Sequence, residues 1–361
     1  MTKLRRREPS SSTESVKTQI RKKRGNQEKD VRYLPTGSTL LNLCLSDQVD
    51  GGYVMGSMAN IVGDSSAGKT FLLWTAFAEV ANNPAFDDII IVYDEPEAAF
   101  FMDIAKLFNM PSDRVVFERS RTVQDWLKNV VKYVSKGKPF LYGTDSFDAI
   151  GSQEELDRFE ELMKKGKEKG SYKTEKPKAA GELFRVITNY LESTDSLMLV
   201  LSQTRDNIGA TFGEKKTRSG GNALRFYSAH EYWLHIMGHI KRKTRDVGVD
   251  VRARVKKNKV TGKLRTVEFP ILFDYGVDDI ESCINFLLAE GEWSMAGSRI
   301  VTGDSLITDG NTSMLKSELI KAIEEDGLEN LLRQRVQECW DSVEKEISTN
   351  RKPKYKTDRK E

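Results

Sequence analysis

The sequence predicts an α/β fold with a mainly parallel central sheet flanked by helices, followed by an antiparallel strand section and a C-terminal helical region. Three observations support this prediction. Up to about residue 225, short apolar runs alternate with helical patterns, which is typical of βαβ units. Three strand-like runs then follow one another without helices between them. Helical patterns close the chain, with a break expected at Gly327.

The elements of the first half alternate along the chain. Because these apolar runs are bounded by turn residues and separated by helices, they indicate a mainly parallel sheet. The predicted strands are MANIVG, DIIIVYD, PFLYGTDS and LMLVLSQ. The helices predicted to follow or separate them are KTFLLWTAFAEVAN, PEAAFFMDIAKLF, TVQDWLKNVVKYV and AGELFRVITNYLES.

The second half has a different order. Its predicted strands lie in SAHEYWLHIMGHI, VDVRARVKKNKV and KLRTVEFPILFD. A helix is predicted in YGVDDIESCINFLLAEG, and two more in SMLKSELIKAIEEDGLENLLRQRVQECWDSVEKEI. We therefore divide the chain into a basic N-terminal segment at 1–32, a core at 33–290, and a C-terminal helical region with a basic tail at 291–361.

Composition excludes several classes of protein. The chain has 361 residues, of which 38% are hydrophobic and 31% charged, as expected for a soluble protein. No apolar run approaches the ~18 residues that span a bilayer, and no apolar stretch follows the basic N-terminus as in a secretory signal. The cysteines Cys44, Cys283 and Cys339 match no metal-ligand spacing, so a reducing cytoplasmic location is expected.

Positive charge is concentrated at the two ends of the chain. Residues 1–30 hold ten Lys and Arg against four Asp and Glu, and residues 351–361 hold six against two. Basic tails favour polyanions such as nucleic acids. The alternative is that these tails only solvate the protein.

A phosphate-binding loop is the strongest motif. GDSSAGKT matches G-x-x-x-x-G-K-[ST] and lies between a predicted strand and a predicted helix, the context this motif requires. The two glycines let backbone N–H groups turn around an anion, and the helix N-terminus adds positive potential. The lysine supplies charge to the β- and γ-phosphates, and the threonine hydroxyl can ligate Mg²⁺. The residues predicted to bind ATP and Mg²⁺ here are Gly63, Asp64, Ser65, Ser66, Ala67, Gly68, Lys69 and Thr70.

Two acidic positions complete the predicted nucleotide site. Asp145 ends a strand and can sit beside Mg²⁺ together with Thr70, although capping of the next helix is the alternative. Asp94, Glu95 and Glu97 cluster where another strand ends. A carboxylate there can polarise the water that attacks the γ-phosphate. The alternative is ordinary charge complementarity at a helix N-terminus.

The order of these motifs resembles the RecA/RadA recombinase family. The resemblance spans residues 33–290 and rests on YLPTGSTLLNLCL, the phosphate loop, TDS and the stretch LMLVLSQTRDNIGATFGEKKTRSGGNALRFYSAHEYWLHI. VRARVKKNKVTGK resembles the interface strand of the family. Phe71 and the basic C-terminus depart from the bacterial pattern, and the adenine-stacking tyrosine has no clear counterpart beyond Phe100 and Phe101. A divergent, phage-like RecA in the host cytoplasm fits these differences.

The resemblance implies roles for residues of the nucleotide site. Glu97 best matches the catalytic glutamate and Glu95 is the alternative, because Pro96 disturbs the register. Lys69 and Gln203 would also act in catalysis, Gln203 by sensing the γ-phosphate. Lys257 and Lys259 match a pair that reaches the ATP of the neighbouring subunit. Their spacing of two places both on one strand face, for which a solvated face is the alternative.

The resemblance also implies two DNA-binding loops, at about 151–180 and 204–220. The first contains a Lys-rich segment, 163–178, which we expect to be a mobile loop that meets DNA phosphates. In the second, two arginines would neutralise phosphates and two apolar residues would insert between or stack on bases. The DNA-binding residues expected are Lys164, Lys165, Arg205, Ile208, Phe212, Arg218, Gly220, Gly221 and Asn222. Residues 1–32 resemble the oligomerisation segment of the family in position.

These features together predict an ATP-dependent homologous-recombination protein. It would form a filament on single-stranded DNA and promote pairing and strand exchange with double-stranded DNA, with DNA-stimulated ATP hydrolysis, in recombination and repair. Two alternatives remain. One is a ring-forming helicase or motor on the same core, because the phosphate loop is shared. The other is a recombination mediator that binds ATP and DNA without turnover, which Pro96 beside the acidic cluster keeps open.

Overall fold

A computed structural model describes residues 31–165, 175–206, 216–218, 221–302 and 313–351. The chain divides into two compact units, and only the last two residues of the first, Met1–Arg32, are described. All elements below belong to the second unit, which begins at Tyr33.

The described strands form three sheets, of which the largest has ten strands. A short antiparallel pair comprises β1 (Tyr33–Leu34) and β2 (Tyr53–Val54). The ten-stranded sheet contains β3 (Ser57–Gly63), β4 (Ile90–Asp94), β5 (Val115–Glu118), β6 (Phe140–Thr144), β7 (Leu197–Asp206), β8 (Lys216–Arg218), β9 (His230–Arg242), β10 (Arg245–Asn258), β11 (Thr266–Leu272) and β12 (Gly276–Val277).

The order of the strands separates a parallel half from an antiparallel half. It runs β12-β11-β10-β9-β3-β7-β6-β4-β5, and β8 pairs with β7 outside this path. Six neighbouring strands of this order run parallel to one another, namely β9, β3, β7, β6, β4 and β5. By contrast, β10, β11 and β12 are each antiparallel to their neighbours. This arrangement confirms the predicted mainly parallel sheet and the antiparallel section that follows it.

The predicted helices are present with one exception, and three helices that were not predicted are also found, at Thr39–Ser46, Gln153–Lys165 and Gly221–Tyr227. They are α1 (Thr39–Ser46), α2 (Lys69–Ala81), α3 (Ile104–Phe108), α4 (Val123–Val134), α5 (Gln153–Lys165), α6 (Glu175–Thr194), α7 (Gly221–Tyr227), α8 (Asp279–Ala289), α9 (Lys316–Asp326) and α10 (Glu329–Glu346). Gly327 takes a left-handed φ of 64° and ends α9, which confirms the break predicted between the last two helices.

Neighbouring residues of the parallel strands enter two different hydrophobic clusters. In β4, Ile91 and Tyr93 pack with Trp74 of α2, whereas Val92 packs with Trp126 of α4. Since successive side chains of a strand point to opposite faces, the sheet is buried on both sides. The continuous apolar runs of the sequence follow from this double burial.

The exception is the helix predicted in PEAAFFMDIAKLF, because only its end is helical. Ala98 has a left-handed φ of 56°, which is incompatible with a continuing helix. Asp103 then accepts a hydrogen bond from the Lys106 N–H at 3.1 Å and starts α3 one residue later. The segment from Glu95 to Asp103 is therefore a turn-rich connection.

Two further segments differ from the sequence expectation. The Lys-rich segment expected as a loop is helical at both ends, since α5 continues to Lys165 and α6 begins at Glu175. Residues 166–174 lie outside the described residues. The C-terminal region contains a small antiparallel sheet as well as helices, made by β13 (Ser294–Ala296), β14 (Arg299–Val301) and β15 (Ser313–Leu315).

Candidate nucleotide and DNA site

The phosphate loop connects β3 to α2, as the motif requires. Gly68 has a φ of 86°, in the left-handed region that favours glycine. A Cβ at this position would also lie 2.5 Å from Cδ1 of Ile271. Because the first N–H groups of a helix lack intrahelical acceptors, the start of α2 offers several donors to an anion.

Lys69 is buried at this helix terminus. Its Nζ donates hydrogen bonds to the carbonyl oxygens of Gly63 at 3.0 Å and Asp64 at 2.7 Å. Burial lowers the pKa of Lys69, while surrounding carboxylates, Asp145 foremost, oppose that shift. The ammonium is therefore held inside the loop that the motif assigns to phosphates.

Thr70 and Asp145 meet as predicted for a Mg²⁺ site. The Thr70 hydroxyl donates to Asp145 Oδ2 at 2.7 Å, and the Tyr93 hydroxyl donates to the same oxygen at 3.2 Å. Burial raises the pKa of Asp145, although these two hydrogen bonds act in the opposite direction. A hydroxyl and a carboxylate oxygen are hard donors of the kind that Mg²⁺ prefers, so these residues fit the ion.

The three carboxylates after β4 take three different positions. Asp94 is fully buried and accepts hydrogen bonds from Ser120 and from the Tyr142 hydroxyl, at 2.5–2.8 Å. Glu95 Oε1 accepts from the Ala99 N–H at 2.6 Å and so stabilises the turn. Glu97 Oε1 accepts from the Ser146 hydroxyl at 2.6 Å.

Glu97 is the carboxylate of this cluster that faces the nucleotide site. Its hydrogen-bond donor, Ser146, follows Asp145 directly in the chain. Its charge acts on the pKa of both Lys69 and Asp145. Glu97 therefore lies with the residues of the nucleotide site, whereas the carboxylate of Asp94 forms hydrogen bonds in the protein interior.

Two aromatic residues near the site differ in exposure. Phe100 stacks on Trp74, with ring centroids 5.0 Å apart and planes 18° from parallel. Phe101 is 91% exposed. Phe100 thus belongs to the core, whereas the ring of Phe101 is exposed to solvent.

Gln203 lies at the end of β7 that adjoins the phosphate loop. It pairs in register with Gly63, the first residue of the motif. Its backbone N–H donates to Asp148 Oδ2 at 2.7 Å. Arg205, two residues further, is largely exposed and lies 4.0 Å from the same carboxylate.

Arg218 is buried, contrary to the exposure that contact with DNA requires. It lies in β8, where it pairs with Thr204 of β7. Its Nη1 is 3.2 Å from a carboxylate oxygen of Glu231, and the two side chains are 7% and 1% exposed. Glu231 also accepts from the Trp233 indole at 3.3 Å.

The other residues expected to contact DNA are only partly described. Ile208, Phe212 and Gly220 lie outside the described residues. Gly221 and Asn222 begin α7, and Lys164 and Lys165 end α5.

Lys257 and Lys259 reach the C-terminus of α7 together. Lys257 Nζ donates to the carbonyl oxygens of Arg225 and of Phe226, the latter at 2.8 Å. Lys259 Nζ donates to the Phe226 carbonyl at 3.4 Å. Both side chains therefore reach the same helix end, although only Lys257 lies within β10, which ends at Asn258. Burial, followed by the charge of Lys259, lowers the pKa of Lys257 to about 8.

Sequence reasoning missed Asp148 and Glu231. Asp148 binds the backbone of Gln203, and Glu231 anchors Arg218. Glu231 had a usable signal, because a carboxylate inside the apolar run HEYWLH must be paired when that strand is buried. Asp148 lies in the connection after β6 and carries no comparable pattern.

The described residues include neither a cluster of metal-ligating side chains nor a membrane-spanning helix. Within those ranges, no group of three or more His, Cys, Asp and Glu side chains is arranged to hold a metal ion. No helix in the described part of the chain is sufficiently long and apolar to cross a membrane. The three cysteines are buried and unbonded.

Comparison with known proteins agrees with this geometry. The model of the RecA N-terminal domain family matches residues 12–278. Protein RecA of Chlorobaculum tepidum is 27% identical over 308 residues, which cover 85% of this chain and 84% of that protein. Protein RecA 2 of Myxococcus xanthus is 28% identical over 289 residues, covering 77% and 76%. The similarity covers the phosphate loop, the strands that flank it and the lysine pair, and the chain belongs to the RecA family.

Proposed function

We propose that this chain is an ATP-dependent recombination protein that forms a filament on single-stranded DNA and promotes homologous pairing and strand exchange. One observation carries the proposal. The phosphate loop and the base of the predicted second DNA loop share one edge of the sheet, because Gly63 and Gln203 are register partners. A nucleotide bound at this loop would therefore lie next to the segment that would hold DNA.

The residues of the site support ATP hydrolysis. Lys69 would exchange the carbonyls of Gly63 and Asp64 for the β- and γ-phosphates. Thr70 and Asp145 would hold Mg²⁺, which when bound neutralises charge on the phosphate oxygens. Glu97 would accept a proton from, or orient, the attacking water. Its hydrogen bond to Ser146 supports this role over that of Glu95, whose carboxylate stabilises a turn.

DNA would be held through its backbone. Arg205 is exposed at the start of the second loop and is suited to a phosphate. Phe212 and Ile208 would insert between or stack on bases, and Lys164 and Lys165 would meet phosphates from the first loop. The glycines and Asn222 would let the backbone approach DNA and link the loop to α7. Base recognition would be left to Watson–Crick pairing.

Assembly would bring the nucleotide to a junction between subunits. Lys257 and Lys259 would extend from one subunit to the ATP of the next, and a head-to-tail contact of this kind gives an open helical filament. Residues 1–32 would pack on the neighbouring subunit.

The deciding experiment combines phosphate release with strand exchange. The unmodified protein should release phosphate faster with single-stranded DNA and exchange strands with ATP. Lys69→Ala should abolish both, whereas Lys128→Ala, which alters an exposed lysine of α4, should leave both intact. DNA binding without phosphate release would favour the mediator, and closed rings in electron micrographs would favour a motor.

A further inference from the structure

The carboxylate of Asp64 joins the phosphate loop to both flanks of the second DNA loop. Its Oδ1 accepts a hydrogen bond from the hydroxyl of Thr204, which lies in β7 just before residues 207–215. Its Oδ2 pairs with the ammonium of Lys216, which lies in β8 just after them. One side chain of the phosphate loop thus contacts both of the strands that flank residues 207–215.

The backbone of the same residue is tied to the phosphate-binding lysine. The Asp64 carbonyl accepts a hydrogen bond from Lys69 Nζ at 2.7 Å. The hydrogen bonds from Lys216 and Thr204 lower the pKa of Asp64, so the carboxylate is charged at neutral pH. Asp64 therefore stands between the cation assigned to the nucleotide and a cation beside the DNA loop.

The phosphate-loop motif does not account for this carboxylate. The motif requires glycine, lysine and a hydroxyl at fixed positions and accepts any residue at position 64. A negative side chain here is moreover unfavourable for a triphosphate, because like charges repel at short range. Some other function must offset that cost, and the contacts with Thr204 and Lys216 are what the structure shows.

We propose that Asp64 is a positioning residue that restrains DNA binding when nucleotide is absent. In that state Asp64 holds Lys216 and Thr204 against the phosphate loop. When phosphates enter, Lys69 leaves the Asp64 carbonyl, and repulsion between the phosphates and the Asp64 carboxylate moves that side chain away from Lys216 and Thr204. Lys216 is then released and can neutralise a DNA phosphate. This inference rests on the proposed function and specifies one residue that couples nucleotide to DNA.

The test is a two-by-two comparison of affinities. Anisotropy of a labelled poly-dT oligonucleotide would be measured with and without a non-hydrolysable ATP analogue for the wild type, Asp64→Asn, Lys216→Met and the double variant. Asp64→Asn should raise the nucleotide-free affinity about twofold to fivefold, the range available to a half-exposed ion pair. Lys216→Met should lower the DNA affinity measured with nucleotide by a similar factor. In the double variant, which already lacks Lys216, Asp64→Asn should have no further effect on DNA affinity.

The outcomes separate this inference from the proposed function. A wild type whose DNA affinity rises with nucleotide, together with an Asp64→Asn variant of unchanged nucleotide-free affinity, would overturn the inference alone. A wild type that never binds single-stranded DNA would overturn both. Lys128→Met, distant in sequence from the loop, serves as the matched lysine control. If Asp64→Asn does not fold, Thr204→Val can be used instead, because it removes the other contact of Asp64. The nucleotide-free DNA affinity of Thr204→Val should then rise, by a smaller factor than expected for Asp64→Asn.

Discussion

The ammonium of Lys257 donates a hydrogen bond to the carbonyl oxygen of Phe226, 2.8 Å away, at the C-terminus of α7. A cation at this end of a helix satisfies terminal carbonyls and complements the helix dipole. The same helix begins directly after residues 204–220, the proposed second DNA loop. In the proposed assembly Lys257 would have to leave α7 to reach the ATP of a neighbouring subunit, which would link assembly to the position of that helix.

The lowered pKa of Lys257 predicts that the proposed assembly depends on pH. Its value of about 8, against 10.5 ordinarily, means that the free protomer carries a neutral Lys257 above pH 8. Contact with phosphate requires the charged form, so assembly takes up a proton above pH 8 and none below. We expect the affinity of ATP-dependent assembly to be constant below pH 8 and to fall by up to about tenfold per pH unit above it. Sedimentation at a series of pH values measures this affinity. Lys257→Arg stays charged, so its profile should remain flat. Equal slopes for both proteins would contradict this role.

Asp145 should control the requirement for Mg²⁺. Asp145→Asn keeps an oxygen that can accept the Thr70 hydroxyl but removes the charge that would hold the ion. We expect phosphate release to fall about 100-fold and its half-saturation to move to higher Mg²⁺ concentration. Titration of MgCl₂ at saturating ATP measures both quantities. Asp87→Asn, in an exposed side chain, is the control, and an unchanged Mg²⁺ half-saturation in Asp145→Asn would refute the assignment.

Glu97 and Glu95 can be distinguished by a matched pair of substitutions. Glu97→Gln keeps an acceptor for Ser146 but removes the base, so kcat for ATP should fall about 100-fold or more while DNA binding persists. Glu95→Gln keeps the acceptor for the Ala99 N–H and should change kcat less than about threefold. DNA-stimulated phosphate release measures both. The opposite order of effects would identify Glu95 as the base.

The sequence predicted the structure correctly where residues close together in the chain determine it. The phosphate loop needs only glycines, a lysine and a hydroxyl in sequence, and Lys69 and Thr70 lie as predicted at the start of α2. Its partner Asp145 was predictable because parallel strands end at the same edge of a sheet. The helix predicted after β4 was mostly wrong, since Ala98 takes a left-handed conformation that periodicity does not reveal.

Pairing between distant segments was not predictable in the same way. The family resemblance implied that Arg218 neutralises a DNA phosphate, whereas its side chain pairs with Glu231. Its partner Glu231 follows 13 positions later, in a strand whose burial depends on the whole sheet. The contact of Asp64 with Lys216 likewise depends on how β7 and β8 meet the phosphate loop. Such contacts follow from the tertiary structure and leave no local pattern.

Arg218 should matter to stability more than to direct contact with DNA. Arg218→Ala would leave the Glu231 carboxylate buried, with Arg225 3.9 Å away as a remaining cation. Breaking a buried ion pair usually costs about 3–5 kcal/mol, and the second arginine reduces this to about 2–3 kcal/mol of unfolding free energy. Urea denaturation measures the loss, and Arg218→Met combined with Glu231→Gln should recover part of it.

Arg205→Ala, in an exposed side chain, should instead weaken single-stranded DNA binding without changing the urea midpoint. If Arg218→Ala weakened DNA binding at unchanged stability, Arg218 would contact phosphate directly, and its pairing with Glu231 would be confined to the DNA-free protein.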